Sequence, residues 1–331
     1  MHRSWSFRFA ALAFLALGVA LTQTTAPAPA AGRWYKGNLH THTLNSDGDS
    51  APSDVAVWYR EHGYNFLLLS DHNHLTESAP LNAAHQDPGK FILLQGEEVT
   101  DAWQDKPIHV NAYDLATELQ PRHGTTVANT IQNNVDAILA AKALPSINHP
   151  NYGWAVTADD LLRVQNLGLM EVYNGHPTVN NVGGGGFQSL DEMWDVLLSA
   201  GRRIKGIAVD DAHHFKRFGR EFANPGRGWI EVRAEELTPA ALRQAIEQGQ
   251  FYASTGVKLA DVQITPATYT LVIAPQGTEK FTTSFIGSKG RVLARSFDTT
   301  PSYRFKGGEG YVRARVQSSY GSAAWTQPAF R

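Results

Sequence analysis

Short apolar segments alternate with helix-like segments from about residue 33 to residue 256. The apolar segments are rich in Ile, Leu and Val, which is typical of strands that are buried on both faces. The predicted strands cover 65–70, 90–99, 108–114, 144–149, 169–174 and 204–211. Repeated strand–helix units predict an α/β fold with a mainly parallel sheet, open or closed.

Several of the intervening segments carry signals for the start and the end of a helix. Ser53 is a good N-cap for one helix, and 125–143 has apolar residues at helical spacing. Ser189 and Glu192 occupy the positions of a capping box. The helix that follows Thr238 and Pro239 is predicted to stop at Gly249.

After about residue 258 the pattern changes. Apolar and polar residues alternate in short segments that are separated by Gly, Pro, Ser and Thr, as in 311–316. Such alternation is typical of antiparallel strands with one solvated face. We therefore expect three parts: a leader at 1–30, an α/β domain at 31–257, and a small β-sandwich-like domain at 258–331.

The first thirty residues resemble a cleaved secretory signal. Arg3 and Arg8 precede an uncharged apolar run, Phe9–Leu21, and Ala28 and Ala30 form a small-residue cleavage site. The run is shorter than the roughly 20 residues that span a bilayer. We expect an exported protein, periplasmic or secreted, with no membrane span after cleavage; the alternative is an uncleaved anchor.

Composition excludes several classes of function. The formal net charge is −2, and no basic run indicates a nucleic-acid partner. The chain has no cysteine. Disulfides, thiolate metal sites and a cysteine nucleophile are therefore excluded, and any metal ion must be bound by nitrogen and oxygen.

Two histidines stand close together in the stretch GNLHTHTLNSDGDS. On an extended backbone, His40 and His42 would point the same way, because side chains alternate. Two neutral imidazoles on one face can begin a site for a divalent ion. Asp47 lies in a turn-prone segment that could bring its carboxylate back toward them.

Further histidines and acidic residues lie at or near the ends of the predicted strands. They are Asp71, His72, Glu97, Glu98, His109, His149, Asp210, Asp211, His213 and His214. The loops at the carboxyl ends of parallel strands gather at one face of an α/β fold, where active sites form. The sequence therefore predicts a site for several metal ions at that face.

The motifs NLHTHTLNSDGD, LSDHN, QGEEVT, NHP and DDAH resemble, in order, those of the polymerase and histidinol phosphatase (PHP) superfamily. The resemblance implies a distorted (β/α)7 barrel over about 36–256, with two or three divalent ions (zinc, manganese or iron) at one end. The ligands that it implies are His40, His42, Asp47, His72, Glu98, His109, His149, Asp211 and His213. Motif spacing favours Glu98 over Glu97 and Asp211 over Asp210.

A narrower resemblance extends into the β tail. EVYNGHP, AGRRIKGIAVDDAHHFK, FYASTG and GYVRARVQSS are similar to segments of exported hydrolases akin to carbaryl hydrolases. This resemblance implies hydrolysis of carboxylic or carbamate esters.

The function that we expect first is a metal-dependent phosphoesterase that acts on monoesters or diesters of a small molecule through a metal-bridging hydroxide. Glu98, Asp211 and His213 are the predicted catalytic residues, and either carboxylate can bridge two ions. The alternatives are hydrolysis of a carboxylic or carbamate ester and a non-catalytic metal-binding or surface-recognition module. An intact ligand set argues against the last.

Other residues have candidate roles around the ions. The candidates for protonating a leaving group are His123, His176 and His214. The candidates for binding an anionic substrate are Lys205, Lys216, Arg217 and Arg227. The candidates for orienting the metal ligands are Asp71, Asn148 and Asn174. The segments 174–187 and 213–228 are predicted to form the rim, which mixes Phe with Lys and Arg.

Overall fold

The structure is a computed structural model, and it describes residues 1–2 and 32–331. Nearly all of the predicted leader, 1–30, therefore lies outside the described residues. In the part of the chain that is described, no helix combines the length and the apolarity that a bilayer-spanning segment needs.

Ten strands lie in the first part of the chain. They are β1 (Arg33–Asn38), β2 (Phe66–Leu68), β3 (Ile92–Leu94), β4 (Gly96–Trp103), β5 (Lys106–Tyr113), β6 (Leu144–Ile147), β7 (Leu169–Asn174), β8 (Lys205–Val209), β9 (Trp229–Ala234) and β10 (Phe251–Ser254). Eight more follow: β11 (Leu259–Ile264), β12 (Thr268–Ile273), β13 (Phe281–Gly287), β14 (Arg291–Ser296), β15 (Ser302–Arg304), β16 (Tyr311–Ser318), β17 (Ala323–Thr326) and β18 (Ala329–Phe330).

Within residues 32–331, six α-helices pack against the sheets or one another. They are α1 (Pro52–Glu61), α2 (Ser78–His85), α3 (Val127–Ala140), α4 (Ala158–Arg163), α5 (Leu190–Ser199) and α6 (Pro239–Gln248). The capping box of Ser189 and Glu192 is present, and Gly249 ends α6 in the left-handed conformation, as the sequence predicts. The predicted helix α1 is present, but Ser53 is not its N-cap: Pro52 begins the helix, because its fixed φ suits the first turn, and Ser53 lies inside it.

The strands form three sheets. The largest has the order β14-β13-β16-β17-β10-β9-β1-β2-β3, with β18 paired to β16; the second has the order β4-β5-β6-β7-β8; and the third has the order β11-β12-β15. The fold is thus a mixed α/β fold, and the sheets are not closed into one hydrogen-bonded barrel. Isolated parallel bridges, Thr41–Ala212 and His72–Glu98, connect the first two sheets.

The expectation of a mainly parallel sheet is only partly met. The pairs β1–β2, β2–β3, β6–β7 and β7–β8 are parallel, but β4–β5, β5–β6, β1–β9 and β9–β10 are antiparallel. Strands β4 and β5 are joined by a short turn with no helix between them, so they pair as a hairpin. The predicted strand 90–99 is divided at Gln95 into β3 and β4, which belong to different sheets.

The C-terminal part shares a sheet with the first part, because β17 pairs with β10. Side chains of β12, β13 and β16, including Leu271, Phe285 and Val316, form a core of their own. Trp325 of β17 belongs instead to the main core, together with α5 and β8. The predicted boundary between 257 and 258 remains a prediction.

Candidate functional site

Histidine and carboxylate side chains from six segments of the fold meet in one place. The nine predicted ligands, called here the histidine–carboxylate cluster, are His40, His42, Asp47, His72, Glu98, His109, His149, Asp211 and His213, and all nine come together. Glu98 lies on β4 and His109 on β5, and the other seven lie in segments that follow β1, β2, β6 and β8. Their proximity is a feature of the fold.

The segment after β1 is held in place by the segment after β8. His42 donates its backbone N–H to the carbonyl of Ala212 at 2.9 Å, and Asp211 donates its own to the carbonyl of His40 at 3.0 Å. The imidazoles of His40 and His42 therefore face the carboxylate of Asp211. His149 and Asp211 both have positive φ, 21° and 50°, a conformation that non-glycine residues adopt at an energetic cost and often at functional sites.

The loop that carries Asp47 folds back onto His42. A Cβ atom at Gly48 would lie 2.7 Å from the carbonyl carbon of His42, so only glycine allows this approach. Asp71 anchors the loop by accepting the Thr43 backbone N–H at 2.7 Å. The carboxylate of Asp47 reaches within 3.5 Å of His42 Nδ1 and 3.3 Å of His213 Nε2.

The donor atoms at the centre of the cluster have the spacing that a small divalent ion requires. Nε2 of His40 lies 3.1 Å from Nε2 of His42, and each lies 3.3 Å from Oδ1 of Asp211. Oε2 of Glu98 lies 3.3 Å from the first nitrogen and 3.2 Å from the second. Bonds of about 2.0–2.2 Å in a tetrahedral arrangement place ligand atoms about 3.3–3.6 Å apart.

Glu98 also shows what the cluster lacks. Its Oε2 is buried and accepts no hydrogen bond of acceptable geometry from residues 32–331, although several imidazole nitrogens lie near it. A buried carboxylate oxygen without such a partner is costly, and a cation would satisfy it. The donor set therefore fits divalent metal ions.

Four groups of side chains could each hold an ion. They are His42–Asp47–His72–His213, His40–Glu98–His149, His40–His42–Asp211 and His72–Glu98–His109. Each group shares one residue with each of two others, so neighbouring ions would share ligands. Glu98 belongs to two groups and contacts a third, which suits a bridging carboxylate.

The two members of each acidic pair, Glu97–Glu98 and Asp210–Asp211, point to different sides. Oε1 of Glu97 accepts the Leu119 backbone N–H at 2.9 Å, on the face of β4 opposite to Glu98. Asp210 accepts hydrogen bonds from Tyr59 and from the backbone of Arg227 and points away from the cluster. The geometry agrees with the preference for Glu98 and Asp211.

Buried polar side chains hold the cluster in position. Asn148 donates to Oε1 of Glu98 at 2.7 Å, and Asn174 donates to Oδ2 of Asp211 at 3.0 Å. Nδ1 of His40 lies 2.7 Å from Oε1 of Glu171, and both side chains are fully buried. Glu171 is not among the candidate residues predicted from the sequence, although it is the one acidic residue in the mainly apolar strand LMEVYN.

Electrostatics couple the imidazoles to the carboxylates. Burial alone would lower the pKa of His72, but the charge of Glu98 and the hydrogen bond to Asp47 raise it to about 10. Burial alone would raise the pKa of Glu98, but His40, His72 and His109 hold it well below its ordinary value. Protons on the imidazoles would therefore compete with metal ions for the same nitrogens.

The cluster opens into a cavity of about 280 Å³. Seven members of the cluster line it, together with Tyr152, His176 and His214. Burial is the largest effect on His176 and lowers its pKa to about 4. The cavity gives a small molecule access to the cluster.

Most of the other candidate residues do not reach the cavity. The side chain of His123 is largely exposed, and its Nδ1 is hydrogen-bonded to the carboxylate of Asp101. Arg227 donates to the carbonyls of Gly175 and Gly219, and Lys216 donates to the carbonyl of Asp49. Among the residues that the structure describes, no Lys or Arg lines the cavity, so Lys205 and Arg217 also have no place there.

No family profile and no curated protein matches the chain. Among solved structures, a two-domain protein from Bacteroides vulgatus that contains a predicted PHP-like metal-dependent phosphoesterase has 17% identity and a TM-score of 0.50, covering 88% of this chain and 92% of that one. A putative metal-dependent phosphoesterase from Bifidobacterium adolescentis has 14% identity and a TM-score of 0.41, covering 66% and 96%. An amidohydrolase from Chromobacterium violaceum has 16% identity and a TM-score of 0.39, covering 54% and 88%. The likeness to the Bacteroides vulgatus protein shows a shared fold.

Proposed function

We propose that this chain is a metal-dependent hydrolase of ester bonds, with phosphoesters as its first candidate substrates. The observation that carries the proposal is the close spacing of the donor atoms of His40, His42 and Asp211 beside the buried Oε2 of Glu98. Within residues 32–331, this oxygen accepts no hydrogen bond of acceptable geometry. The fold shared with a PHP-like protein supports it and also supports a place for this chain in the PHP superfamily.

In this proposal the nine residues of the cluster bind two or three divalent ions, of zinc, manganese or iron. Such ions lower the pKa of water and offset negative charge on the substrate. Glu98 and Asp211 would supply carboxylate ligands to these ions, and His213 and Asp47, which lie 3.3 Å apart at the cavity, would complete the ligand set there. Asn148, Asn174 and Glu171 keep these ligands oriented.

A second candidate is hydrolysis of a neutral carboxylic or carbamate ester. The specific observation in its favour is that histidines, acids and Tyr152, with no Lys or Arg, are the described residues that line the cavity. A phosphoester would then depend on the ions alone to offset its charge, whereas a neutral ester needs no cationic side chain.

Three structural and cellular proposals accompany this function. The isolated bridges at Thr41–Ala212 and His72–Glu98 support a distorted seven-stranded barrel around the site. The second core supports a sandwich-like unit at 258–331. The basic and apolar character of 1–30 supports export to the periplasm or the medium, where a small-molecule ester would be the substrate.

The test measures bound metal and then turnover of p-nitrophenyl phosphate, bis(p-nitrophenyl) phosphate and p-nitrophenyl acetate. We expect metal-dependent hydrolysis by the wild-type protein, and loss of both metal and hydrolysis in His42→Ala and Asp211→Ala. His62→Ala, at an exposed position on Trp58, is the matched control. Turnover by His42→Ala at the wild-type rate would contradict the proposal, and the relative rates on the three esters decide between the two substrate classes.

A further inference from the structure

We propose that His176 is a hydrogen-bond donor to a substrate oxygen, acting as a neutral imidazole that carries its proton on Nε2. The inference rests on the proposed hydrolase function. His176 lines the same cavity as the cluster but belongs to none of the four groups that could hold an ion. Its ring centroid lies 5.3 Å from that of His213, so it stands at the edge of the cluster.

Thr178 determines which nitrogen of His176 carries the proton. The backbone N–H of Thr178 donates to Nδ1 of His176 at 3.3 Å, and its hydroxyl oxygen lies 2.8 Å from the same nitrogen. A backbone N–H can only donate, so Nδ1 must be the acceptor. The proton of the neutral ring is then on Nε2, and no hydrogen bond within residues 32–331 uses that nitrogen.

The backbone of this segment is tied to the cluster. The N–H of His176 donates to Oδ1 of Asn174 at 2.8 Å, and Nδ2 of the same side chain donates to Asp211. Gly175 packs so closely that a Cβ atom there would lie 2.7 Å from the carbonyl oxygen of Asp210. Arg227 donates to the carbonyl of Gly175 at 2.9 Å. The imidazole is therefore fixed relative to Asp211 before any substrate binds.

A fixed donor of this kind stabilises negative charge that develops on an oxygen during the reaction, because no reorganisation is needed at that moment. His176 keeps its proton throughout, since a neutral ring that gave up the Nε2 proton would become an anion. This role replaces the sequence-based expectation that His176 protonates the leaving group. It also distinguishes His176 from His123, whose Nδ1 bonds to Asp101 and whose side chain is exposed.

The first test compares two variants of the full, metal-loaded chain. His176→Phe keeps a ring but removes the donor, and His176→Gln keeps an amide N–H near the position of Nε2. We expect kcat on bis(p-nitrophenyl) phosphate to fall by about 10²–10³-fold in His176→Phe, with KM and bound metal unchanged. The glutamine variant should retain intermediate activity. His62→Phe, at the exposed position on Trp58, should match the wild type.

The second test needs no substrate. Nuclear magnetic resonance of the zinc-loaded protein with ¹⁵N-labelled histidine rings should show one neutral ring, absent from His176→Gln, that is protonated on Nε2. The proposal would be overturned by a proton on Nδ1 of His176. It would also be overturned if His176→Phe had the same kcat as an active wild type, or if both variants lost their metal. A wild type that hydrolyses none of the three esters would instead overturn the proposed function, and the role of His176 with it.

Discussion

Nδ1 of His40 lies 2.7 Å from Oε1 of Glu171, and neither side chain is exposed to solvent. This contact directs Nε2 of His40 toward His42, Glu98 and Asp211. A carboxylate behind a metal-binding histidine fixes the orientation of the ring and makes it a better ligand. The other oxygen of Glu171 accepts the backbone N–H of His149, so one buried acid orients two members of the cluster.

Glu171→Gln should lower the affinity of the cluster for zinc by about 10- to 100-fold. The amide keeps the shape of the side chain, but its NH₂ must replace one of the two oxygens. It then faces either Nδ1 of His40, or the His149 N–H and the Asn174 NH₂ that donate to the other oxygen. Calorimetric titration of chelator-treated protein with zinc measures the affinity. Glu235→Gln, at an exposed position, is the control, and equal affinities in the two variants would contradict this role.

Glu98→Gln and Glu97→Gln form a matched pair at adjacent positions. The first should lose bound metal and reduce ester hydrolysis by about 10³-fold or more, because it removes a charged oxygen from the centre of the cluster. The second should keep its metal, because Oε1 of Glu97 faces Leu119 instead. Elemental analysis and turnover of the metal-loaded proteins check both expectations. Loss of metal in Glu97→Gln but not in Glu98→Gln would show that Glu97, and not Glu98, is the metal ligand.

Arg313→Ala should destabilise the protein by about 3–5 kcal/mol, because Asp195 would be left buried without its partner. Nε and Nη2 of Arg313 donate to the two oxygens of Asp195 at 2.7 and 2.8 Å, which joins β16 to α5. Arg315, two residues along the same strand, is 40% exposed and pairs with Asp191 at 3.1 Å. Arg315→Ala should therefore cost about 0–1 kcal/mol. Urea unfolding measures the free energy of unfolding of both variants. Similar losses of stability in Arg313→Ala and Arg315→Ala would contradict the prediction.

Asp261 makes a pH-dependent contribution to stability. Burial alone would raise its pKa, but hydrogen bonds from Gln263 and Arg233 lower it below the ordinary value. Its contribution is therefore present above the unfolded pKa of about 4 and is lost as the pH falls through the folded pKa. Asp261→Asn should be less stable by about 1–2 kcal/mol at pH 7, and the difference should be smaller at pH 3. Urea unfolding at pH 7 and pH 3 measures the difference in stability between the variant and the wild type. The prediction is contradicted if this difference is the same at both pH values, or if Asp105→Asn, at an exposed position, shows the same pH dependence.

The sequence predicted the members of the cluster better than it predicted the sheets. His40 and His42 are two residues apart on an extended segment, and His72, His149 and Asp211 each follow an apolar strand, so local patterns indicate that they converge. The role of these residues as ligands remains a proposal. Glu171 was not among the predicted ligands, because its position inside the strand LMEVYN does not show that its side chain reaches the cluster.

The order of the strands depends on contacts that the local sequence does not specify. Tyr252 of β10 pairs with Thr326 of β17, far along the chain, and this pairing joins the C-terminal strands to the first sheet. The segment FILLQGEEV, which is predicted as part of one strand, also does not indicate that the chain changes sheet at Gln95. Strand propensity reports burial, and burial alone does not select a partner strand.

Elemental analysis of the purified protein shows whether the histidine–carboxylate cluster binds metal ions. The chain should retain two or three divalent ions after dialysis against metal-free buffer, and His42→Ala should retain fewer than the wild type. Less than one ion per chain in the wild type after incubation with zinc, manganese or iron(II) would contradict the claim that these nine side chains form a metal centre.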